Sequence, residues 1–185
     1  MARILTVPNI LSFIRILLVP LLVVVLLTKF EGKALVGLAV FLLASLTDFL
    51  DGFIARRRQQ VSKLGKLLDP AADKILVSAA LISLIELDVA PAWMVMVILA
   101  REFFISAFRS LAAGEGIVLS ASWLGKVKTA LQVVAISLLI IYEHLGEFEH
   151  LAPISLWLAM VATLVSGLEY LIRHGPEVVR GQAAS

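Results

Sequence analysis

The sequence contains no cysteine, only three histidines and few charged residues, and these scarcities exclude several classes of protein. Without cysteine there are no disulfides, thiolate metal sites or cysteine nucleophiles. Charged residues make up 16% of the 185 residues and hydrophobic residues 61%, against about 25% and about 45–50% in typical soluble domains. This composition excludes a disordered chain and a soluble globular domain. The formal charge of only +2 gives little reason to expect a nucleic-acid partner.

Long apolar runs fill most of the chain. A transmembrane helix needs about 20 mainly apolar residues, and six stretches reach or nearly reach that length. Their approximate bounds are 8–28, 34–54, 67–87, 91–113, 124–142 and 151–172. We therefore predict an all-α integral membrane protein, a single domain over residues 1–185 with six transmembrane helices in one bundle. The first stretch is interpreted as a retained helix, because no small-residue cleavage site follows it.

The charges of the links predict the orientation, because basic loops remain in the cytoplasm. The second link and the C-terminal tail are basic, the third and fifth links are acidic, and two lysines follow the fourth link. The basic residues are Arg56, Arg57, Arg58, Lys63, Lys66, Lys126, Lys128, Arg173 and Arg180, and the acidic ones Glu86, Asp88, Glu143, Glu147 and Glu149. Both termini are therefore predicted to be cytoplasmic, although Lys29 and Lys33 in the first link fit this orientation poorly.

Four aspartates flank the basic second link. Asp48 and Asp51 lie at the end of the second span, and Asp69 and Asp73 at the start of the third. Residues three or four apart share one face of a helix, so each pair projects together, and two antiparallel helices would bring the pairs face to face. Ionisable residues in membrane helices are functional candidates. Four carboxylates in one small space require cations, and oxygen ligands favour Mg²⁺, Mn²⁺ or Ca²⁺.

Helix capping is the alternative explanation for two of these aspartates. Asp69 before Pro70 could be an N-cap followed by a proline at the first helical position. Asp73 would then lie in the first turn, where the helix dipole favours a negative charge. Capping does not explain Asp48 and Asp51, which this interpretation puts near a helix C-terminus.

The aspartates belong to a longer pattern that resembles the signature of the CDP-alcohol phosphotransferases, which are membrane enzymes of phospholipid synthesis. The pattern is Asp48-x2-Asp51-Gly52-x2-Ala55-Arg56-x8-Gly65-x3-Asp69-x3-Asp73. Its eight specified positions with fixed gaps are highly specific. Further segments favour the members that transfer a phosphatidyl group from CDP-diacylglycerol to sn-glycerol 3-phosphate. These segments are Pro8-Asn9-x2-Ser12-x2-Arg15, Arg101-Glu102, Arg109 and residues 122–129.

The resemblance implies roles for the residues that match it. Asp48, Asp51, Asp69 and Asp73 would bind one or two Mg²⁺ or Mn²⁺ ions, and Asp73 would also act as the general base. The products would be phosphatidylglycerol phosphate and CMP. The residues expected to bind CDP-diacylglycerol are Asp48, Gly52, Ala55, Arg56 and Gly65, with Asn9 and Ser12 as weaker candidates. The resemblance also implies a homodimer in the bacterial inner membrane, with its active site on the cytoplasmic side.

The acceptor carries a phosphate and therefore needs cations. Glu102 and Arg109 are seven residues apart and nearly in line on one helix, and Lys126 and Lys128 stand at the entrance of the fifth span. We predict that Arg109 and Lys126, with Arg101, Glu102 and Lys128, form the glycerol 3-phosphate site. The alternatives are an internal ion pair for Arg101 and Glu102, and a Lys128 side chain that reaches the lipid headgroups.

Three other functions compete with this prediction. The acceptor could be serine, inositol phosphate or phosphatidylglycerol, or the aspartates could be the ion site of a small cation transporter. A catalytically dead scaffold is disfavoured because all four aspartates are present.

Trp93 and Trp157 are interpreted as interfacial residues, and Glu169 as a partner of Arg173 or part of a subunit contact. The histidines, at positions 144, 150 and 174, lie in links or the tail without ligand spacing.

Overall fold

The computed structural model describes the backbone of residues 7–58, 63–114, 116–117, 119–120 and 122–182. Side chains are described for 12–47, 71–114, 116–117, 119–120 and 122–178. These residues form six α-helices and two short 3-10 turns, with no strand among them. The helices are α1 Val7–Leu27, α2 Lys33–Arg58, α3 Lys63–Glu86, α4 Ala92–Gly114, α5 Trp123–Ile140 and α6 Leu151–Gln182. The 3-10 turns, Tyr142–His144 and Gly146–Phe148, connect α5 to α6.

The predicted all-α class with six helices is confirmed, and three helix ends lie beyond the bounds predicted for the spans. Helix α2 continues to Arg58, α3 begins at Lys63, and α6 extends ten residues beyond the predicted end at position 172. The predicted spans ended where apolar residues gave way to charged ones. Helices do not end there, because arginine, lysine and glutamate are good helix formers. Pro176 does not end α6 either.

The helices pack around one main core, to which α1, α2, α3, α4, α5 and α6 all contribute. Helix α1 packs on α2 and α3, α5 packs on α6, and α4 contacts α3 and α6. Leu22, Phe41, Leu84, Met94 and Leu139 are among its buried residues. A smaller cluster joins α4 to the C-terminal half of α6; it contains Ile105, Ala112, Leu119, Tyr170 and Val178.

The outer surface of the bundle is also apolar. Leu17, Met96 and Ile172 are more than two-thirds exposed, at 70%, 72% and 76%. Helices that are apolar on their outer as well as their inner faces are typical of membrane proteins. Among the described residues, two stretches are long and apolar enough to cross a membrane, Trp123–Ile140 and Gly146–Val178. The six-span arrangement therefore stays a prediction.

Two tryptophans meet where α4 and α6 begin. The rings of Trp93 and Trp157 make an edge-to-face contact with centroids 5.5 Å apart. Each residue is about half exposed, at 53% and 51%. An amphipathic ring with one exposed edge suits the boundary between lipid and water, which agrees with the interfacial interpretation from the sequence.

Candidate active site

A cavity of about 950 Å³ lies between helices α2, α3, α4, α5 and α6. Its wall contains both charged and apolar side chains, as a site for a lipid-linked phosphate would need. The lining residues with polar side chains are Ser45, Asp73, Lys74, Arg101, Glu102, Ser106, Arg109, Ser122, Lys126, Lys128, Thr129 and Tyr170. Apolar residues such as Leu42, Ile105 and Val134 complete the wall.

The cavity brings together residues that the sequence assigned to two different roles. Asp73, the predicted base, lies on α3, while all five predicted glycerol 3-phosphate residues line the same space from α4 and α5. Lys128 is within electrostatic range of Asp73. The wall holds five basic side chains and two carboxylates, so it is suited to an anionic ligand.

Glu102 forms the centre of a charged network at the wall. Lys128 Nζ on α5 donates a hydrogen bond to Glu102 Oε1 at 2.5 Å, and Arg101 Nη1 donates to the same oxygen at 3.1 Å. The interpretation of Lys128 as a headgroup-directed side chain is wrong, because only 7% of its side chain is exposed. The predicted ion pair between Arg101 and Glu102 is present, but both residues lie on α4. The ion pair that joins two helices is the one between Glu102 on α4 and Lys128 on α5.

Arg101 is held from α6 as well. Its Nη2 donates to Ser166 Oγ at 2.9 Å, and its stem crosses the backbone at Gly167. A methyl group at Gly167 would lie 3.0 Å from Arg101 Nε and 3.1 Å from Cγ, closer than side chains normally approach. Because Gly167 has no side chain, the stem of Arg101 can lie directly against the α6 backbone. Sequence reasoning missed both α6 residues, because nothing in their local pattern points to α4.

Three other cations of the wall make no ion pair or hydrogen bond within the described part of the chain. These are Lys74, Arg109 and Lys126. Arg109 and Lys126 are exposed, so they can reorient around a ligand. Lys74 was not predicted, although a charged residue beside Asp73 in an apolar stretch was a usable signal. The wall residues Ser106, Ser122, Thr129 and Tyr170 were also missed; among them, Ser122 caps α5 by accepting a hydrogen bond from the Gly125 amide at 3.1 Å.

The other predicted site residues lie on α1, α2 and α3, and almost all of their side chains are outside the described ranges. Asp48, Asp51, Gly52, Ala55 and Arg56 are on α2, Gly65 and Asp69 on α3, and Asn9 on α1. Ser12 is an exception, because it is described and completely buried on α1. Arg15, one turn further, is also completely buried, and its Nε donates to Thr47 Oγ1 at 3.5 Å. This contact joins α1 to α2 directly before Asp48.

The backbone alone decides one question about the aspartates. Asp69 and Pro70 lie inside α3, which begins at Lys63, so the capping interpretation of Asp69 and Asp73 is wrong. Asp48 and Asp51 also lie inside a helix, ten and seven residues before the end of α2 and therefore before its last turn. Because Asp73 lies ten residues after the start of α3, Asp48 and Asp73 are at matching distances from the link.

His174 and Glu169 each have a side-chain partner within α6. His174, predicted to lie in a tail, is buried within α6, where its Nδ1 is 3.3 Å from Glu177 Oε2. Glu169 Oε1 lies 3.9 Å from Arg173 Nη1, as one of the two interpretations expected. Within the described ranges, no group of three or more histidine, aspartate or glutamate residues is arranged to hold a metal ion.

Comparison with known proteins gives a consistent result. The sequence model of the CDP-alcohol phosphatidyltransferase family matches residues 5–165. A Bacillus subtilis protein is 42% identical over 182 residues, covering 90% of this chain and 94% of its own. Proteins of Rickettsia felis and Salmonella choleraesuis are 36% and 37% identical, and each match covers 88–89% of this chain and 92% of the relative. All three are named CDP-diacylglycerol–glycerol-3-phosphate 3-phosphatidyltransferase.

Proposed function

Because the chain belongs to the CDP-alcohol phosphatidyltransferase family, we propose that it transfers the phosphatidyl group of CDP-diacylglycerol to sn-glycerol 3-phosphate. The products are phosphatidylglycerol phosphate and CMP. The observation that supports this function most directly is the cavity in which Asp73 faces a wall of five basic side chains. The names of the three relatives specify the same two substrates.

The cavity accounts for recognition of the acceptor. Arg109 and Lys126 reach into it from α4 and α5 and can bind the phosphate of glycerol 3-phosphate. Charge-assisted hydrogen bonds to phosphate are strong, and an arginine can make two in parallel. Glu102 does not repel the phosphate as a lone carboxylate would, because Arg101 and Lys128 neutralise it. With the phosphate bound there, the acceptor hydroxyl can extend toward Asp73.

Asp73 is the proposed general base. It takes the proton of the acceptor hydroxyl as that oxygen forms a bond to the β-phosphorus of CDP-diacylglycerol. The bond between this phosphorus and the oxygen bridging to the α-phosphate breaks, and CMP leaves with the bonding electrons. Removing a proton from a weakly acidic alcohol in the transition state contributes about 10²–10⁴-fold to such reactions.

We propose that the donor half of the site lies on α2 and the start of α3. Asp48, Asp51 and Asp69, together with Asp73, are hard oxygen donors that fit Mg²⁺ or Mn²⁺. The matching distances of Asp48 and Asp73 from the link support this assignment, because α2 contacts α3. A bound divalent ion would supply electrostatic stabilisation of the pyrophosphate and the leaving CMP. Gly52, Ala55 and Gly65 would allow close approach of the nucleotide, with Arg56, Asn9 and Ser12 as polar contacts.

The proposed setting is the bacterial cytoplasmic membrane, crossed six times with both termini and the site on the cytoplasmic side. The apolar outer surface and the paired tryptophans support this topology. The chain lacks cysteine, so single cysteines can report its sidedness. A membrane-impermeant maleimide applied to intact spheroplasts should label Asp88→Cys and not Gly175→Cys. The reverse labelling would contradict the orientation.

A homodimer is also proposed, on the resemblance to the family. Light scattering of the purified protein in detergent should give twice the mass of the 20.1 kDa chain after subtraction of the bound detergent. A mass of one chain would contradict it.

The decisive experiment is an assay of CMP release from CDP-diacylglycerol by the purified protein. Release should require glycerol 3-phosphate, and serine, inositol phosphate or phosphatidylglycerol should not replace it. Release with another of these acceptors in its place would assign the chain a different substrate within the same family. No release with any of them would remove the enzymatic proposal and reopen the cation-transport alternative.

Arg109→Ala tests the acceptor half of the site. We expect the KM for glycerol 3-phosphate to rise by about 10- to 100-fold, because a charge-assisted contact to phosphate is lost. The KM for CDP-diacylglycerol should change much less. Arg173→Ala is the matched control, since Arg173 is 65% exposed and outside the cavity wall. An unchanged acceptor KM in Arg109→Ala would exclude Arg109 from the site.

A further inference from the structure

Tyr170 on α6 has a buried hydroxyl that makes no hydrogen bond in the described part of the structure. The residue is 4% exposed and lines the 950 Å³ cavity. Buried tyrosine hydroxyls usually find a hydrogen-bond partner, since losing water without replacement is unfavourable. A phenol in this position therefore requires an explanation.

The packing contacts explain why an aromatic ring lies at position 170, but they do not explain why it carries a hydroxyl group. The ring makes an edge-to-face contact with Phe108, at a centroid distance of 6.3 Å, and a tilted contact with His174 at 4.8 Å. It also belongs to the small apolar cluster with Ile105 and Val178. A phenylalanine would make all of these contacts and would leave no polar atom buried. The hydroxyl is thus a candidate for binding something that enters the cavity.

The surroundings of Tyr170 indicate the charge of that ligand. Arg101 and Arg109 are both within electrostatic range of the tyrosine. Arg101 Nε is a second buried donor without a partner among the described residues. The Tyr170 hydroxyl and the guanidinium groups of Arg101 and Arg109 are together suited to a ligand with several acceptor oxygens and negative charge. A phosphate group meets both requirements.

We propose that Tyr170 Oη donates a hydrogen bond to the phosphate of the acceptor alcohol, and so helps the enzyme to select a phosphorylated acceptor. This proposal rests on the proposed function and adds a specificity-determining residue on α6 to the predicted ones on α4 and α5. The hydroxyl has almost no accessible surface in this structure, so the phosphate reaches it as nearby side chains adjust. Arg109, exposed and without an ion pair among the described residues, is the side chain most suited to move.

Tyr170→Phe is the test, because it removes one oxygen and keeps the ring. We expect the KM for glycerol 3-phosphate to rise about tenfold, as for loss of a hydrogen bond to a charged group. The KM for CDP-diacylglycerol and the kcat should change less than twofold. The Ki of inorganic phosphate as a competitor of the acceptor should rise by the same factor as the acceptor KM.

The sequence supplies a matched control, because Tyr142 is the only other tyrosine. It lies in the turn after α5 and is not part of the cavity wall. Tyr142→Phe should leave all of these constants unchanged. The thermal unfolding midpoint of Tyr170→Phe in detergent should equal or exceed that of the wild type, since an unsatisfied polar atom is removed.

Three results would overturn the proposal. An acceptor KM that is unchanged in Tyr170→Phe would make the hydroxyl structurally incidental. A raised acceptor KM with an unchanged Ki of inorganic phosphate would assign the hydroxyl to the glycerol part instead of the phosphate. If wild-type protein fails to use glycerol 3-phosphate, the proposed function fails separately. Calorimetric titration with inorganic phosphate still compares Tyr170→Phe with wild type, and equal affinities there overturn the contact.

Discussion

Asp73→Asn should lower the rate of CMP release by about 10²–10⁴-fold, the usual contribution of a positioned general base. Asparagine has nearly the same size as aspartate, so the cavity wall should keep its shape. It cannot accept the proton of the acceptor hydroxyl, and its amide is a weaker ligand for a divalent cation than a carboxylate. The loss should therefore appear in kcat at saturating concentrations of both substrates, measured as CMP released from CDP-diacylglycerol.

Asp88→Asn is the matched control for this substitution. Asp88 is exposed at the other end of α3, and its backbone has a positive φ of 57°, which asparagine tolerates as well as aspartate does. Its activity should equal that of the wild type. If Asp73→Asn retains more than about a tenth of the wild-type kcat, proton transfer to Asp73 cannot be the main chemical contribution at this site.

Removal of divalent cations is the second change with a large expected effect. Treatment with EDTA should reduce CMP release to the background rate, and Mg²⁺ or Mn²⁺ should restore it. The reason is electrostatic: the pyrophosphate of the donor and the four aspartates on α2 and α3 are all negative, and they require positive charge between them. The same treatment should be applied to the Asp88→Asn control, which should respond as the wild type does.

A measurement without turnover separates metal binding from catalysis. Added Mg²⁺ or Mn²⁺ should raise the thermal unfolding midpoint of the wild type, since a ligand that binds only the folded state stabilises it. Asp48→Asn should weaken that increase. CMP release that continues at full rate in EDTA would refute the metal proposal. An equal increase of the midpoint in Asp48→Asn would exclude Asp48 from the ligands.

The sequence predicted the helices well, because a membrane helix is a local property of about 20 apolar residues. It predicted their ends less well, because the structure continues through charged segments such as the one that ends at Arg58. The capping interpretation of Asp69 failed for a related reason. A proline is acceptable both at a helix start and, at a cost, inside a helix, and local sequence did not distinguish the two.

In the candidate site, too, the sequence predicted relations within one helix and missed contacts between helices. Helical spacing placed Glu102 and Arg109 on one face correctly, because their relation is internal to one helix. It could not show that Lys128 is buried against Glu102, or that Ser166 and Gly167 hold Arg101, because these contacts depend on which helices are neighbours. Tyr170 was missed for the same reason: nothing in α6 alone indicates that this residue borders a cavity with residues of α4 and α5.

The contacts of Arg101 and Glu102 with later helices bear on how the chain is made. Both residues lie near the middle of α4, and their partners Lys128 and Ser166 are on α5 and α6. When α4 leaves the ribosome neither Lys128 nor Ser166 has been made, so Arg101 and Glu102 have only each other as partners. The two described stretches that are long and apolar enough to cross a membrane, Trp123–Ile140 and Gly146–Val178, include α5 and most of α6. In the proposed six-span topology, we therefore expect α4 to reach its final place only after α5 and α6 have been made.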